Sequence, residues 1–331
     1  MKAIRLHEFG GPEVLRHEEI PAPVAGPGEV LIRVHAAGIN PPDWYVRDGM
    51  TVMPEAMRPP IPLPLIPGTD VSGVVEAAGP DAGDLAVGDE VFGMLRFPGF
   101  GGSTYAEYVT APATDLARKP SGVDHVQAAG APMAALTAWQ FLIDLGHDDP
   151  SPFQPFTHRP APLGPGTTVL VNGAAGGVGH FAVQLAKWRG ARVIAVASGR
   201  HRRFLRDLGA DEVIDYTTTD PATTVRDVDL VLDTVGGPHT GRFLQTIRDG
   251  GALFPVFFGA VDPDEAATRK ITVSSAQVRS NGRQLTELAH LLAAGTVRTA
   301  VDSTFPLADA AAAHTRAAQG HLRGKIVLTV A

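Results

Sequence analysis

The sequence predicts an α/β protein of two domains, a β domain followed by a doubly wound parallel sheet. The chain has 331 residues, which is long for a single domain of ordinary size. Short β-type segments divided by Gly and Pro occupy residues 1–125, and strand and helix patterns alternate beyond them. In the middle of the chain, a glycine-rich turn at 173–179 joins a β-branched run to an amphipathic helix, a pattern typical of a phosphate-binding unit.

The first 125 residues consist of short β segments bounded by turn residues, and their spacing predicts a compact barrel-like domain with few helices. The strand candidates are Ala3–Leu6, Glu29–Ala36, Gly73–Ala78, Glu90–Met94 and Ala106–Val109. Two proline-rich stretches interrupt them, at 21–28 and 54–67. Because the second stretch carries several apolar residues, we interpret it as a loop packed on the barrel, with a substrate lid as the alternative.

From about residue 126, strands and helices alternate, which predicts a parallel sheet with helices on both faces. A helix at 134–145 precedes the glycine turn, and further helices are expected at His201–Leu208, Gly241–Ile247 and 283–294. Besides the run that enters the glycine turn, the strand candidates are Arg192–Ala197, Glu212–Tyr216, Leu230–Val235, Ala252–Phe258 and Ile271–Val278.

The sixth strand, Ile271–Val278, is expected at the edge of this sheet, and an exposed edge must be covered or paired. We therefore expect a homodimer formed through this strand. Residues 296–331 return to a β, helix, β pattern, and their closing strand is suited to rejoin the first domain. The predicted domains are residues 1–125 with 296–331, and residues 126–295.

Composition excludes several classes of protein. The net charge is −7 and the sequence has no basic block, which disfavours nucleic acid or an anionic membrane as the main partner. The longest uncharged stretch, 126–143, reads as a buried or inter-domain helix rather than a membrane span. No apolar core of signal-peptide length occurs near Met1, so we expect a cytoplasmic protein.

A proline-rich segment at 146–166 precedes the first strand of the parallel sheet. It has six prolines and little periodicity, which predicts a long loop. Ligands of such sheets bind at the carboxyl ends of the strands, whereas this loop enters at an amino end. We interpret it as a surface insertion, and a partner-binding role is the alternative.

The glycine turn indicates a dinucleotide site, and the residues that follow indicate which dinucleotide. In a unit that binds NAD, a carboxylate about 20 residues beyond the glycines holds the ribose 2′-hydroxyl. Here the second strand is followed by Ser198, Arg200, Arg202 and Arg203, with no carboxylate before Asp207. A hydroxyl and arginines suit a 2′-phosphate, so NADPH is favoured over NADH. The alternative is an ordinary solvated helix start that is rich in arginine.

Two other kinds of site are excluded by the residues present. The sequence has no cysteine, and none of its histidines forms an i, i+3 or i, i+4 pair with another, so no metal site is expected. None of its four tyrosines has a lysine four residues later, which excludes the Tyr-x-x-x-Lys reductases.

Over essentially its whole length, the chain resembles the zinc-independent quinone oxidoreductases, the ζ-crystallin-like group of the medium-chain dehydrogenase/reductase superfamily. The motifs that carry the resemblance include Gly38-Ile39-Asn40-Pro41-Pro42-Asp43-Trp44-Tyr45, Ile66-Pro67-Gly68-Thr69-Asp70-Val71-Ser72-Gly73, Gly88-Asp89-Glu90-Val91-Phe92-Gly93, Leu208-Gly209-Ala210-Asp211, Asp233-Thr234-Val235-Gly236-Gly237 and Arg323-Gly324-Lys325-Ile326-Val327. Zinc-dependent relatives carry Gly-His-Glu in place of Gly68-Thr69-Asp70 and a cysteine in place of Asn40.

The resemblance implies a GroES-like β-barrel domain with the catalytic residues and a six-stranded Rossmann domain that binds NADPH. It implies that Tyr45 and Asn40 lie beside the nicotinamide and the substrate, and these are the expected catalytic residues. The expected cofactor-binding residues are Tyr45, Thr137, Ala175, Gly176, Gly177, Val178, Ser198, Arg200, Arg203, Tyr216, Val235, Phe257, Phe258 and Gly259.

The leading functional hypothesis is hydride transfer from NADPH, without a metal, to a quinone or an α,β-unsaturated carbonyl compound. A hydrogen-bond donor must then stabilise the charge that develops on the acceptor oxygen. Tyr45 is the first candidate, Asn40 the second, and backbone N–H groups of 97–103 the third. Whether Tyr45 donates a proton or only stacks on the nicotinamide stays open here. Trans-acting enoyl reductases and 2-alkenal reductases are close alternatives, and a non-enzymatic NADPH-binding sensor or structural protein is the distant one.

Overall fold

The computed structural model describes residues 1–97, 99–148 and 158–330. Contacts divide the chain into two compact units, Met1–Leu136 with Arg279–Ala331, and Thr137–Val278. The sequence analysis assigned 279–295 to the second domain. In the structure, a Cβ on Gly282 would lie 2.4 Å from the carbonyl oxygen of Leu116, so this segment packs tightly on the first unit.

The strands of the described chain are β1 (Lys2–Leu6), β2 (Leu15–Glu19), β3 (Glu29–Gly38), β4 (Asp70–Ala78), β5 (Glu90–Met94), β6 (Tyr108–Pro112), β7 (Leu116–Arg118), β8 (Thr168–Asn172), β9 (Arg192–Ala197), β10 (Glu212–Asp215), β11 (Val228–Asp233), β12 (Ile247–Pro255), β13 (Thr272–Val273), β14 (Val301–Pro306) and β15 (Lys325–Thr329). The helices are α1 (Pro41–Arg47), α2 (His125–Ala129), α3 (Pro132–Leu142), α4 (Gly177–Trp188), α5 (Arg202–Asp207), α6 (Pro221–Thr224), α7 (Pro263–Thr268), α8 (Gly282–Ala293) and α9 (Ala310–Ala318).

The first unit is built on a mixed sheet with the strand order β14-β15-β3-β4-β5-β7, in which β6 also pairs with β3. Apolar residues alternate along β3, so Val30, Ile32 and Val34 point to one face and are at most 1% exposed. The sequence analysis missed β2, β7 and α1. Helix α1 was missed because Pro41 and Pro42 read as turn residues, although proline is favoured in a first helical turn.

The second unit contains a parallel six-stranded sheet with the order β10-β9-β8-β11-β12-β13, which confirms the predicted doubly wound fold. Its central strands are apolar on both faces, and residues such as Leu170 and Val231 are completely buried between layers.

Two predicted elements of the second unit take a different form in the structure, and the short helices α6 and α7 were not predicted. The expected strand Ile271–Val278 is reduced to Thr272–Val273, because its partner β12 ends at Pro255, which has no N–H group to continue the ladder. The segment expected as the helix Gly241–Ile247 is a 3-10 helix over Thr240–Thr246.

Of the three proline-rich segments, the structure describes the one at 54–67 in full and the one at 146–166 in part. In the 54–67 loop, Leu65 packs against Leu6 and Val14, as expected for a loop packed on the barrel, whereas Met57 is exposed. Of the 146–166 segment, residues 149–157 lie outside the described residues, so its interpretation as a surface insertion stays a prediction. Among the helices that the structure describes, none is long and apolar enough to span a membrane.

Candidate active site

Three glycines shape the turn between β8 and α4. Gly173 has a φ of +73°, and a Cβ there would lie 2.5 Å from Thr234 Oγ1. A Cβ on Gly179 would lie 2.2 Å from the carbonyl oxygen of Gly173, so only glycine lets the helix pack this closely on the turn. A Cβ on Gly176 would meet the same oxygen at 3.3 Å and otherwise face open space among the described atoms. The turn is therefore crowded at both ends and open in its middle.

The amino end of α4 is suited to an anion. Its N-cap is Gly176, which has no side-chain oxygen to accept from the first N–H groups of the helix. The first turn also carries no acidic residue. The backbone N–H groups of Gly177 and Val178 and the positive end of the helix dipole therefore favour a phosphate group at this end.

A buried carboxylate organises the neighbouring turn, which follows β11. Asp233 is 1% exposed and accepts hydrogen bonds from Asn172 Nδ2 at 2.8 Å, from the N–H groups of Val235 and Gly236 at 3.0 and 3.1 Å, and from Thr240 Oγ1 at 2.7 Å. Asn172 is the last residue of β8, so Asp233 ties together the carboxyl ends of the two strands between which the strand order reverses. Such a switch point is where doubly wound sheets bind ligands.

Apolar side chains are exposed beside this switch point. Val235 is 61% exposed and Phe258 is 51% exposed. Phe258 stacks edge-to-face on Phe257 with ring centroids 5.0 Å apart, and its carbonyl oxygen accepts from Gly237 N–H at 2.6 Å. Gly259 pairs with Gly237 as an isolated bridge. Val235 and Phe258 therefore present an exposed apolar surface beside the switch point.

The predicted 2′-phosphate residues follow β9 in the chain or, in the case of Tyr216, follow the neighbouring strand β10. Ser198 follows that strand directly, and Tyr216 donates its N–H to the carbonyl oxygen of Ala197 at 3.3 Å. The side chain of Arg203 is 96% exposed and lies 4.0 Å from Asp207, a distance at which the ion pair contributes little. Arg200 donates from Nε to His201 Nε2 at 3.1 Å. Thr137, at the start of the second unit, is buried at 5% exposure.

One acidic residue near this turn was missed from the sequence. A Cβ on Gly199 would lie 2.1 Å from Asp215 Oδ2, so the carboxylate of Asp215 lies directly against the turn. It accepts from the hydroxyl of Thr217 at 2.6 Å, and this bond and the Thr217 N–H lower the pKa of Asp215. Asp215 belongs to the next strand, β10, and the pairing of β10 with β9 brings it here. Spacing from the glycines alone does not indicate it.

In the first unit, Tyr45 lies on the short helix α1 and is half-buried. Its ring makes an edge contact with Trp44, with centroids 5.9 Å apart. Burial, with a smaller effect of Asp48, raises the pKa of the Tyr45 phenol. The phenol therefore stays protonated at neutral pH and can act as a hydrogen-bond donor.

Asn40, the second predicted catalytic residue, is 2% exposed and bonded within the protein. Its Nδ2 donates to Asp70 Oδ2 at 2.9 Å, and its Oδ1 accepts from the ammonium group of Lys325. Lys325 also donates to the carbonyl oxygen of Ile39 at 2.8 Å. Burial raises the pKa of Asp70 to about 6 against the opposing effect of Lys325, and it lowers the pKa of Lys325. This bonding does not support Asn40 as a donor to the acceptor; it makes Asn40 an anchor for the start of α1.

The third predicted group of donors is the backbone of the loop at 97–103, and one of its N–H groups already donates within the protein. Phe97 donates its N–H to Ser280 Oγ at 3.0 Å, and Pro98 lies outside the described residues. Farther along, Phe100 and Ser103 line a cavity of about 460 Å³ together with Arg5, Leu65 and Ile66. The cavity walls are therefore largely apolar on the side formed by the 54–67 loop.

Among the residues that the structure describes, no three His, Asp or Glu side chains converge as metal ligands. At the positions where zinc-dependent relatives carry ligands, Asn40 and Asp70 bond to each other and Thr69 is buried.

Comparison with known proteins identifies two family models in the chain. Residues 26–121 match the alcohol dehydrogenase GroES-like domain, and residues 208–328 match the zinc-binding dehydrogenase domain. Both models belong to one superfamily. The second is named for zinc binding, whereas this chain has no cysteine to bind zinc.

Individual relatives cover nearly the whole chain. The chloroplast envelope quinone oxidoreductase homolog of Arabidopsis thaliana is 32% identical over 99% of this chain and 98% of the relative. A chloroplastic NADPH-dependent alkenal/one oxidoreductase of the same plant is 33% identical over 99% of this chain and 79% of the relative.

Solved structures agree. The quinone oxidoreductase of Coxiella burnetii has a TM-score of 0.85 at 32% identity and covers 100% of this chain and 99% of that one. The Escherichia coli quinone oxidoreductase complexed with NADPH has a TM-score of 0.84 at 26% identity, covering 99% of this chain and 100% of that one.

These comparisons correct one expectation. The sequence analysis predicted a cytoplasmic protein, whereas relatives that match the chain from end to end are named as proteins of the chloroplast. The predicted cytoplasmic location is therefore not supported. The earlier inference used only the composition near Met1, which says nothing of where such relatives act.

Proposed function

This chain belongs to the quinone oxidoreductase group of the medium-chain dehydrogenase/reductase superfamily, and from that premise we propose that it reduces quinones and α,β-unsaturated carbonyl compounds with NADPH, without a metal. The observation that carries the proposal is the open, glycine-built amino end of α4 beside the turn held by Asp233. Backbone N–H groups and a helix dipole there suit a pyrophosphate. The exposed Val235 and Phe258 suit an aromatic ring at the adjoining position.

When bound, NADPH supplies a hydride from C4 of its nicotinamide ring. The chain supplies binding and orientation. Ala175, Gly176, Gly177 and Val178 form the anion-binding turn, and Ser198, Arg200, Arg203 and Tyr216 form the group that would hold the 2′-phosphate. Thr137, Val235, Phe257, Phe258 and Gly259 complete the proposed cofactor set.

Tyr45 is the residue we propose to donate a hydrogen bond to the acceptor oxygen. Burial keeps its phenol protonated, whereas Asn40 already donates to Asp70 and accepts from Lys325. Donation to an oxygen that gains negative charge stabilises the transition state. A quinone needs less of this help than an enone, because its reduction product is already a stabilised aromatic oxyanion.

The test is NADPH oxidation by the purified protein over quinones, enones and enoyl thioesters, in wild type and Tyr45→Phe. We expect turnover of quinones and enones by wild type. Tyr45→Phe should lower kcat about 10- to 100-fold for enones and less than about 3-fold for quinones. Tyr108→Phe, in the same unit on β6, is the matched control and should behave as wild type.

The outcomes separate the alternatives. Equal losses for both acceptor classes would contradict a donor role and favour simple stacking of Tyr45. A preference for enoyl thioesters would favour the trans-acting enoyl reductase alternative. Tight NADPH binding with no turnover of any acceptor would favour the sensor alternative. The similarity to an alkenal/one oxidoreductase is the observation that favours enones as a second substrate class.

We also infer a homodimer formed through the β13 edge of the parallel sheet. β13 is the last strand in the sheet order, and within the described chain it pairs on one side only, with β12. An edge of this kind favours addition of another strand. Light scattering should give the mass of two chains, and the mass of one chain would overturn the inference.

A further inference from the structure

A buried chain of hydrogen bonds lies beneath α1, and the proposed function does not use it. Tyr105 Oη lies 3.0 Å from Asp43 Oδ2 and 3.3 Å from His314 Nε2. The other ring nitrogen, His314 Nδ1, lies 3.1 Å from Arg47 Nη1, and Arg47 Nε donates to the carbonyl oxygen of Gly10 at 3.0 Å. The exposures of the four side chains lie between 0% for Tyr105 and 9% for Arg47.

The donor and the acceptor of each of these hydrogen bonds follow from the chemistry of the groups involved. A guanidinium group only donates, so His314 Nδ1 accepts from Arg47. His314 stays neutral because burial lowers its pKa to about 3, so its single ring proton is on Nε2. That nitrogen donates to Tyr105 Oη, and the phenol proton is therefore directed to Asp43. Asp43 Oδ2 also accepts from Asn40 N–H at 2.8 Å.

The chain of bonds holds α1 at both ends. Asp43 and Arg47 are one turn apart and lie on the same face of the helix. Each is bonded to residues far away in sequence, since His314 comes from α9 and Tyr105 follows the loop at 97–103. With only seven residues, α1 makes few internal hydrogen bonds, so its orientation depends on these external contacts.

Tyr45 lies midway between the two held residues. A residue two positions from both Asp43 and Arg47 is rotated about 200° around the helix axis, which places it on the opposite face. A tilt or rotation of α1 would therefore move the Tyr45 phenol directly. The ring of Tyr105 also packs on Gly68, where a Cβ would lie 2.4 Å from Tyr105 Cδ1, so the phenol itself is held in place.

We propose that Tyr105 and His314 are positioning residues, which act through Asp43 and Arg47 to fix α1 and so set the position of the Tyr45 phenol. A set of buried polar groups seldom adds net stability over an apolar replacement. Its directed bonds instead select one orientation of the helix. The proposal rests on the proposed role of Tyr45, so the first readout below does not use turnover.

The experiment uses the small number of tyrosines. The protein has four, so uniform labelling with 3-fluorotyrosine gives four ¹⁹F signals, which single Tyr→Phe variants assign. In Tyr105→Phe, which removes only the hydroxyl, the Tyr45 signal should shift or broaden. In Tyr108→Phe it should stay unchanged, and the Tyr216 signal, from the other unit, should stay unchanged in both. An unchanged Tyr45 signal in Tyr105→Phe would overturn the proposal.

A second pair of variants, at Asp43, keeps the proposal testable if Tyr105→Phe does not fold. One of the two should restore the wild-type Tyr45 signal. Asp43→Ala removes the acceptor of the Tyr105 proton and should move the Tyr45 signal as Tyr105→Phe does. Asp43→Asn keeps an acceptor oxygen of the same shape and should restore the wild-type signal. If Asp43→Ala and Asp43→Asn give the same displaced signal, the directed bond is not what positions α1.

Kinetics then separate a positioning role from general loosening. Tyr105→Phe should lower kcat for an enone about 10-fold, with the Kd for NADPH changed less than about 2-fold. In a Tyr45→Phe background, the same substitution should change kcat less than about 2-fold, because its effect passes through Tyr45. Equal losses in both backgrounds would overturn the proposal. If Tyr45→Phe alone has no effect on enones, the proposed function of Tyr45 fails, whereas the ¹⁹F result still decides the positioning.

Discussion

At the carboxyl ends of β8 and β11, the proposed cofactor site is made of backbone groups, whereas beneath α1 the chain relies on buried titratable side chains. The first region needs glycines at fixed spacing and one carboxylate, Asp233, to hold a turn. The second needs Asp43, Tyr105, His314 and Arg47, which bond in a fixed order. In this proposal, cofactor binding depends on local backbone shape, whereas the position of the Tyr45 phenol depends on side-chain contacts between residues far apart in sequence.

The largest expected effect is a loss of NADPH binding when a glycine of the turn between β8 and α4 is replaced. Gly179→Ala adds a Cβ that would lie 2.2 Å from the carbonyl oxygen of Gly173 and 2.7 Å from Ala174 Cα, both of them main-chain atoms. The turn must move, so the Kd for NADPH should rise at least about 100-fold, about 3 kcal/mol of binding free energy. Fluorescence titration with NADPH measures it.

Gly164→Ala is the matched control for this substitution. It lies in the same unit, before β8, and a Cβ there meets no described atom within 4 Å. Its Kd should equal that of wild type. Tight binding by Gly179→Ala would show that the turn is not the cofactor site.

A smaller loss is expected for the carboxylate of the same region. Asp233→Ala leaves four donor groups without their acceptor, two of them main-chain N–H groups. Each buried donor left unpaired costs roughly 1 to 3 kcal/mol, less what water recovers, so the free energy of unfolding should fall by about 3 kcal/mol. Urea denaturation measures it.

Glu212→Ala provides the comparison, since its ion pair with Arg192 is half exposed on both sides and contributes at most about 1 kcal/mol. If the two variants lose equal stability, Asp233 does not organise the turn as described.

The buried titratable side chains beneath α1 should make the stability of the protein depend on pH. Burial raises the pKa of Asp43 to about 7, above its value in the unfolded chain, so its contribution is present at low pH and lost as pH rises through about 7. Burial lowers the pKa of His314 to about 3, below its unfolded value, so its contribution is present above about pH 6.5 and lost as pH falls. The two slopes oppose each other between about pH 4 and 6.5.

Single substitutions should reveal each slope. Asp43→Asn should make stability rise with pH across that window, and His314→Gln should make it fall, each by on the order of 1 to 3 kcal/mol relative to wild type. Urea midpoints at about pH 5 and about pH 8 measure this. The two variants serve as controls for each other, and parallel pH profiles for both would contradict the assigned directions.

The difference between the glycine turn and the side chains beneath α1 also explains what the sequence could predict. The parallel sheet and the glycine turn were predicted because their signals are local, from apolar runs and the glycines around Gly176. Helix α1 was missed because Pro41 and Pro42 read as turn residues. Tyr105 and His314 were missed because their partners lie 62 and 267 residues away, and no spacing rule links them. Asp215 was missed for the same reason, since strand pairing brings it to Gly199.

Metal-free hydride transfer can be tested by following deuterium from the cofactor into the product. The protein, freed of metal by chelation, is given an enone and NADPH deuterated at C4, and the product is examined for deuterium at the β-carbon. An enone is used because a carbon-bound deuterium does not exchange with water, whereas a quinone product would lose it. We expect full turnover, with deuterium at the β-carbon from one of the two C4 positions. Loss of turnover on chelation, or product without deuterium from either C4 label, would contradict it.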